Sequence, residues 1–219
     1  MTDARSDALD LAALMCSRVC HDVIGPVGAI LNGLELLEFE KDPGMREEAI
    51  KLVHESTRKA SARLEFSRLA FGAAGSAGAS VDLGDAEGLA RGVVEDERVR
   101  LVWNPARRLL PKNVVKFALN LVAIARQSVL TTGSLTLDVE GPDEALVITV
   151  RATGPRVRPP RGAVEHLTGD ASHELDAHGV QAFYAGRLAA SAGLAVTVEP
   201  DGEDLVFRAA AAAGAPAGV

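Results

Sequence analysis

Three features of this 219-residue chain predict an α+β fold: a first third with helical periodicity and no strand signal, a run of small residues after it, and an alternation of short strands and helices beyond. We expect an N-terminal helical hairpin over residues 1–75 that pairs with a second copy into a dimeric four-helix bundle. A two-layer α/β sandwich with a mixed sheet is expected over 81–210, and a flexible tail over 211–219.

From residue 6 to residue 40 apolar positions recur at helical spacing, interrupted at Gly25-Pro26. Lys41-Asp42-Pro43-Gly44 contains two breakers and marks a turn. The helical pattern resumes over 45–71, with Ile50, Val53, Thr57, Ala60, Leu64 and Leu69 near one side. Two long helices with so short a loop form an antiparallel hairpin, and one hairpin alone leaves apolar surface uncovered, which a second copy remedies. Residues 72–78 are Gly, Ala and Ser only and read as a linker. A helix over 85–96 leads into an alternating strand over 98–103. Pro111 opens a strongly apolar helix to Leu130, in the first turn, where its missing N–H is harmless. Residues 134–140 and 145–152 flank Gly141-Pro142-Asp143-Glu144 and predict a strand hairpin. A loop rich in Pro, Gly and Arg covers 153–172, a helix 175–192, and strands 194–199 and 204–208 surround Asp201-Gly202. From Ala209 onward the small-residue sequence is expected to fray.

Composition excludes several function classes. Hydrophobic residues are 47% and charged residues 24%, ordinary globular usage. Aromatics are 4%, poor material for stacking bases, and the net charge of −7 opposes a general nucleic-acid or anionic-membrane binder. No uninterrupted apolar run approaches about 20 residues, so no bilayer span is expected. The N-terminus mixes acids and bases before any apolar stretch, unlike a secretory leader, and the expected location is cytoplasmic. Cys16 and Cys20, one helical turn apart, read as core thiols. His173-Glu174-Leu175-Asp176-Ala177-His178 resembles a zinc-protease motif, but its histidines are five apart and about 140° apart on a helix, so no metal site is expected.

One histidine stands out. At 100° per residue, Ser17, Arg18, Gly25, Gly28 and Asn32 fall within about 60° of His21. The opposite side collects Ala12, Met15, Cys16, Val19, Val23, Val27, Ile30, Leu34 and Leu37. His21 therefore points outward, at the centre of a face stripped of bulk. Each helix-interior glycine forgoes about 1 kcal/mol relative to Ala. Retaining Gly25 and Gly28 beside an exposed imidazole implies that another molecule must come close to the helix. The neutral imidazole is a nucleophile near physiological pH, and Asp22 beside it supplies a hydrogen-bond acceptor.

His21-Asp22-Val23-Ile24-Gly25-Pro26, with a polar Asn32 eleven residues after the histidine, resembles the H-box of sensor histidine kinases. The hairpin is similar to their dimerisation and phosphotransfer domain, and the α/β part resembles the Bergerat-fold ATPase domain that follows it. The nucleotide motifs differ. Asn120 matches the first asparagine of the N-box, but Ile124 replaces the second, a metal-ligand position. The adenine-binding Asp-x-Gly-x-Gly pattern is here Ala152-Thr153-Gly154-Pro155-Arg156, and the second glycine-rich loop is His178-Gly179-Val180-Gln181. A metal ligand, a base acceptor and a close backbone approach to phosphate are each lost.

A kinase-shaped dimer that keeps the histidine and loses the nucleotide motifs resembles the ChpT-type histidine phosphotransferases of bacterial phosphorelays. The resemblance spans roughly residues 6–208 and implies that His21 carries a phosphoryl group from the receiver domain of a hybrid histidine kinase to response regulators of the CtrA and CpdR kind. It implies catalytic roles for His21 and Asp22, and a partner-binding face of Arg18, Gly25, Gly28 and Asn32. It implies no ATP and no cofactor bound by this chain, with Mg²⁺ supplied by the receiver. Two rival readings stay open at this stage: an ATP-dependent histidine kinase with atypical boxes, and a non-catalytic adaptor that sequesters receivers. Arg58, Lys59, Arg63 and Arg68 on the second helix, and Arg151, Arg156, Arg158 and Arg161 beyond it, are further candidates for facing an acidic partner.

Overall fold

The computed structural model of the chain describes residues 4–72, 79–170 and 174–212. All but one residue of the expected linker 72–78, the tail beyond Ala212, and His173 lie outside the described residues. The chain divides into two compact units, Met1–Arg68 and Leu69–Val219.

The first unit is the hairpin, α1 (Ala4–Phe39) and the greater part of α2 (Pro43–Ala70). α1 runs unbroken through Pro26, where the sequence suggested an interruption. The turn behaves as its residues dictate. Pro43 begins α2, and the Asp42 carboxylate accepts the Met45 N–H at 2.9 Å, satisfying a donor that the helix start would leave open. Arg46 Nη1 donates to the Leu37 and Glu40 carbonyls at 2.6 and 3.0 Å, tying the end of α1 across the turn.

The helices meet over small residues. A Cβ on Gly33 would stand 2.7 Å from Val53 Cγ2 and 3.3 Å from the Ala49 carbonyl oxygen, so glycine is what lets the backbones approach there. On α2 the inward positions are Ala49, Val53, Ser56 and Ala60, of which Ala49, Ser56 and Ala60 are buried. Val53 and Ala60 are on the expected face, but Ala49 and Ser56 take the places of Ile50 and Thr57, so the face is turned by about 50°. Ile50 and Leu64 are exposed within the single chain, as are Ile24, Val27, Leu31 and Leu34 of α1. Cys16 and Cys20 are free and exposed rather than core thiols, because they share the α1 side that α2 does not cover. Over 8–39 α1 is long and apolar enough to cross a bilayer by length and composition alone, a property that helices of soluble proteins share, and Arg18 and Asp22 interrupt its apolar run.

The second unit is the α/β sandwich. Its main sheet has the order β2 (Val99–Trp103), β4 (Gly133–Glu140), β5 (Val147–Thr153), β7 (Asp204–Ala211) and β6 (Leu194–Asp201). β2 pairs parallel with β4, and every other pair is antiparallel, giving the expected mixed sheet. Alternation along the strands sends Leu101, Leu135, Leu137, Ile148, Val150 and Phe207 into one buried face. The helix layer comprises α3 (Leu83–Val94), α4 (Lys112–Ser128), α5 (Ala163–Thr168) and α6 (Val180–Ser191). α4 is buried on every side from Val114 to Ala125, consistent with its nearly uniform apolar sequence. The sheet's β2 margin is closed by Arg91 of α3 and by Glu95 at its C-terminal cap: Arg91 Nη1 donates to the Leu101 carbonyl at 2.7 Å, and Glu95 accepts the Leu101 N–H at 3.0 Å.

Four local expectations need correction. Residues 80–82 and 109–111 form a two-stranded ribbon, β1 (Ser80–Asp82) with β3 (Leu109–Pro111), too short for a period to be visible in sequence. The loop over 153–172 contains α5. α6 begins at Val180, not near 175, because the Asp176 carboxylate accepts the His178 and Gly179 N–H groups and holds a turn instead. β7 runs to Ala211 instead of fraying at Ala209: Ala209 is fully buried and pairs with Ile148 and Val196.

Candidate functional site

The H-box lies on α1, and its register gathers three of the expected residues around one carboxylate. Asp22 Oδ1 stands 3.3 Å from His21 Nδ1, and Asp22 Oδ2 stands 3.1 Å from Arg18 Nε, one turn earlier. The His21 side chain is 65% exposed, whereas those of Arg18 and Asp22 are 13% and 21% exposed. The imidazole thus projects into solvent from a base of packed, paired charge. An ionised carboxylate only accepts hydrogen bonds, so the tautomer that bonds to Asp22 is the one protonated on Nδ1, whose basic nitrogen is Nε2. Such an atom can attack an electrophilic phosphorus.

The remaining expected residues are placed as follows. A Cβ on Gly25 or Gly28 would meet nothing within 4 Å, so neither glycine is required by packing within the chain. Asn32 is exposed and about 16 Å further along the helix axis, beyond contact with the imidazole. Arg18 is turned onto Asp22 rather than outward. One participant escaped notice as anything but a surface charge: Arg63 Nη1, from α2, lies 3.9 Å from Asp22 Oδ1. Its signal in the sequence is the spacing Ala49, Ser56, Arg63, seven apart, which puts a cation on the inward stripe of α2.

In the second unit, the positions that correspond to kinase nucleotide motifs are occupied by packing. Asn120 is fully buried; its amide donates to the Ala70 carbonyl at 3.2 Å and the Lys116 carbonyl at 2.8 Å, and its oxygen accepts from Gln181 Nε2 at 3.2 Å. Lys116 is also buried, donating to the Gly72 carbonyl at 2.9 Å with its ammonium over the Tyr184 ring. Ile124 and Ala152 are core residues, Ala152 between Leu135 and Leu205 in the sheet. Both surviving glycines have a steric reason of their own. A Cβ on Gly154 would lie 2.5 Å from the Thr132 carbonyl oxygen, and one on Gly179 would lie 2.7 Å from the buried His166 ring.

Next to Gly179 is an open cleft of about 410 Å³ lined by Arg161, Gly162, His166, Glu174, Asp176, His178 and Gly179. The Gly179 N–H bond, with that of His178, holds the Asp176 carboxyl below its ordinary range against partial desolvation. Among the described residues no group of three or more His, Cys, Asp or Glu side chains is arranged to hold a metal ion. The basic group is smaller than the sequence suggested. Arg151 is engaged by Asp201 at 2.8 Å and Asp204 at 3.0 Å, leaving Arg156, Arg158 and Arg161 exposed.

A family model described as histidine phosphotransferase C-terminal domain matches residues 83–204. Protein phosphotransferase ChpT of Brucella abortus (strain 2308) is 46% identical over 203 residues, covering 92% of this chain and 96% of that protein. A solved structure of a bacterial phosphotransferase aligns with a TM-score of 0.83 at 44% identity, over 92% of this chain and 96% of its own. A histidine kinase domain from Erythrobacter litoralis EL346 aligns at a TM-score of 0.48 and 14% identity, covering 84% of this chain and 95% of its own.

Proposed function

The chain belongs to the histidine phosphotransferase family, and on that premise we propose that His21 relays a phosphoryl group from the receiver domain of a hybrid histidine kinase to response regulators of the CtrA and CpdR kind. The observation that carries this reading is the imidazole itself: two-thirds exposed, on a helix face with open space at Gly25 and Gly28, and anchored through Nδ1 to a carboxylate.

The donor is an aspartyl phosphate, an acyl phosphate. His21 Nε2 attacks the phosphorus in line with the acyl oxygen, the N–P bond forms as the P–O bond breaks, and the donor aspartate leaves as a carboxylate. The ring becomes positive in the process, and Asp22, already hydrogen-bonded to Nδ1–H, stabilises that charge where it develops. Transfer onward reverses the step with an acceptor aspartate as nucleophile. Mg²⁺ held by the receiver's acidic pocket would neutralise phosphoryl oxygens, and this chain's part is positioning and charge. Nucleotide plays no role in this scheme. The residues do not fit it: Ala152 offers no acceptor to a base, Ile124 no ligand to a metal, and the Asn120 amide is engaged in the core.

We also propose a homodimer. Ile24, Leu31, Leu34, Ile50 and Leu64 leave apolar surface on both helices that a second copy would cover in a four-helix bundle. Protein is a better cover than lipid for α1, because Arg18, His21 and Asp22 lie in the middle of the helix, where burying charge in a bilayer costs several kcal/mol. The site of action is the cytoplasm, and the exposed Arg156, Arg158 and Arg161 would steer acidic receivers.

The test uses the full chain with radiolabelled phosphoryl receiver, and separately with labelled ATP. Label is expected on the wild-type protein only with the receiver, and the His21→Gln variant should take none while keeping its oligomeric mass. Label on the variant, or label from ATP alone, overturns the reading.

A further inference from the structure

We infer that Arg63 is a positioning residue for phosphoryl transfer, acting from α2 through Asp22 to fix the His21 tautomer. The inference rests on the assignment of His21 as the phosphoryl carrier and adds a residue on the opposite helix.

The argument begins with packing. α2 presents Ala49, Val53, Ser56 and Ala60 to α1, all small or apolar and largely buried. Continuing that stripe by its alternating three- and four-residue steps reaches Arg63. An antiparallel hairpin that sets Gly33 against Ala49 and Val53 brings residue 63 to the level of residue 22, which is where Arg63 Nη1 is found, 3.9 Å from Asp22 Oδ1. The other cations of α2, Arg46, Lys51, Arg58, Lys59 and Arg68, are exposed.

Asp22 is therefore shared by three groups: Arg18 Nε at Oδ2, and Arg63 Nη1 and His21 Nδ1 both at Oδ1. Arg18 alone would leave the carboxylate free to rotate about its side-chain torsion while keeping its i,i+4 pair. A second guanidinium from another helix, 3.9 Å from Oδ1, adds an electrostatic restraint that favours the rotamer with Oδ1 toward the imidazole. Stability is a poor reason for the pair, since partly exposed ion pairs contribute little. Control over which ring nitrogen carries the proton is a better one, because only the Nδ1–H tautomer presents Nε2 to phosphorus.

Arg63 approaches one oxygen rather than gripping the carboxylate with both arms, so a lysine can replace it and an uncharged side chain cannot. The experiment compares Arg63→Gln and Arg63→Lys with wild type in the full chain, by nitrogen-15 NMR of the His21 ring and by the rate of label uptake from a phosphorylated receiver. Arg63→Gln should raise the Nε2–H tautomer and slow uptake about tenfold, the scale of a lost positioning contact, with helicity and oligomeric mass unchanged. Arg63→Lys should restore both. An Arg63→Gln protein with the wild-type tautomer ratio overturns the inference, as does a slow rate that lysine does not rescue. Failure of the underlying reading is distinct: there, His21→Gln itself still accepts label.

Discussion

Replacing Asn120 by alanine separates a packing residue from one retained for a ligand. In the fold the side chain is fully buried and makes three hydrogen bonds. Truncation strands two groups, the Ala70 carbonyl and Gln181 Nε2, while the Lys116 carbonyl keeps the helical N–H of residue 120. Each stranded buried group costs about 1–3 kcal/mol, so the loss should be about 2–6 kcal/mol, a large part of the 5–15 kcal/mol typical of a whole domain. Urea unfolding of the full chain at one fixed protein concentration measures it, the concentration being held because oligomers gain stability by mass action. The companion variant Gln181→Leu, alone and combined with Asn120→Ala, closes a double-mutant cycle in which the combined loss should fall short of the sum by about 1 kcal/mol or more. A loss below about 0.5 kcal/mol, with additive effects, would refute the account of Asn120 as a member of the core.

Two other expectations are as direct. Gly28→Ala should raise thermal stability by about 1 kcal/mol, because its Cβ meets open space in a helix interior, while slowing uptake from a phosphorylated receiver; a variant both more stable and equally fast would remove the reason for a bare helix face. Asp176 has a carboxyl held below its ordinary range by the Gly179 N–H bond, so it stabilises the fold above the unfolded carboxylate's range and that contribution fades as pH falls through its own lowered value. Asp176→Ala should therefore show a smaller fall in urea midpoint than wild type between neutral pH and pH 3, and parallel curves would contradict this.

Legibility from sequence followed the physics of each signal. The long helices, the strand hairpin around Gly141 and the outward imidazole rest on periodicity sustained over many residues, and these match the structure. Three-residue strands such as Ser80–Asp82 have no period to detect. The facing side of α2 was displaced because large apolar residues dominate a periodicity reading, whereas helices approach over small ones such as Ala49, Ser56 and Ala60. Arg63 was visible only as charge; its partnership with Asp22 depends on the level at which two helices meet, which no local pattern encodes.

The side chains that close the β2 margin have a wider effect. With the N–H and C=O of its middle residue, Leu101, already taken by Glu95 and Arg91, that edge offers no continuous ladder to a stray strand, and Arg91 is held charged by Glu87 at its other side. The domain is thereby protected from adhesive encounters along one border, and neighbours are left to recognise it by surfaces rather than by extending its sheet.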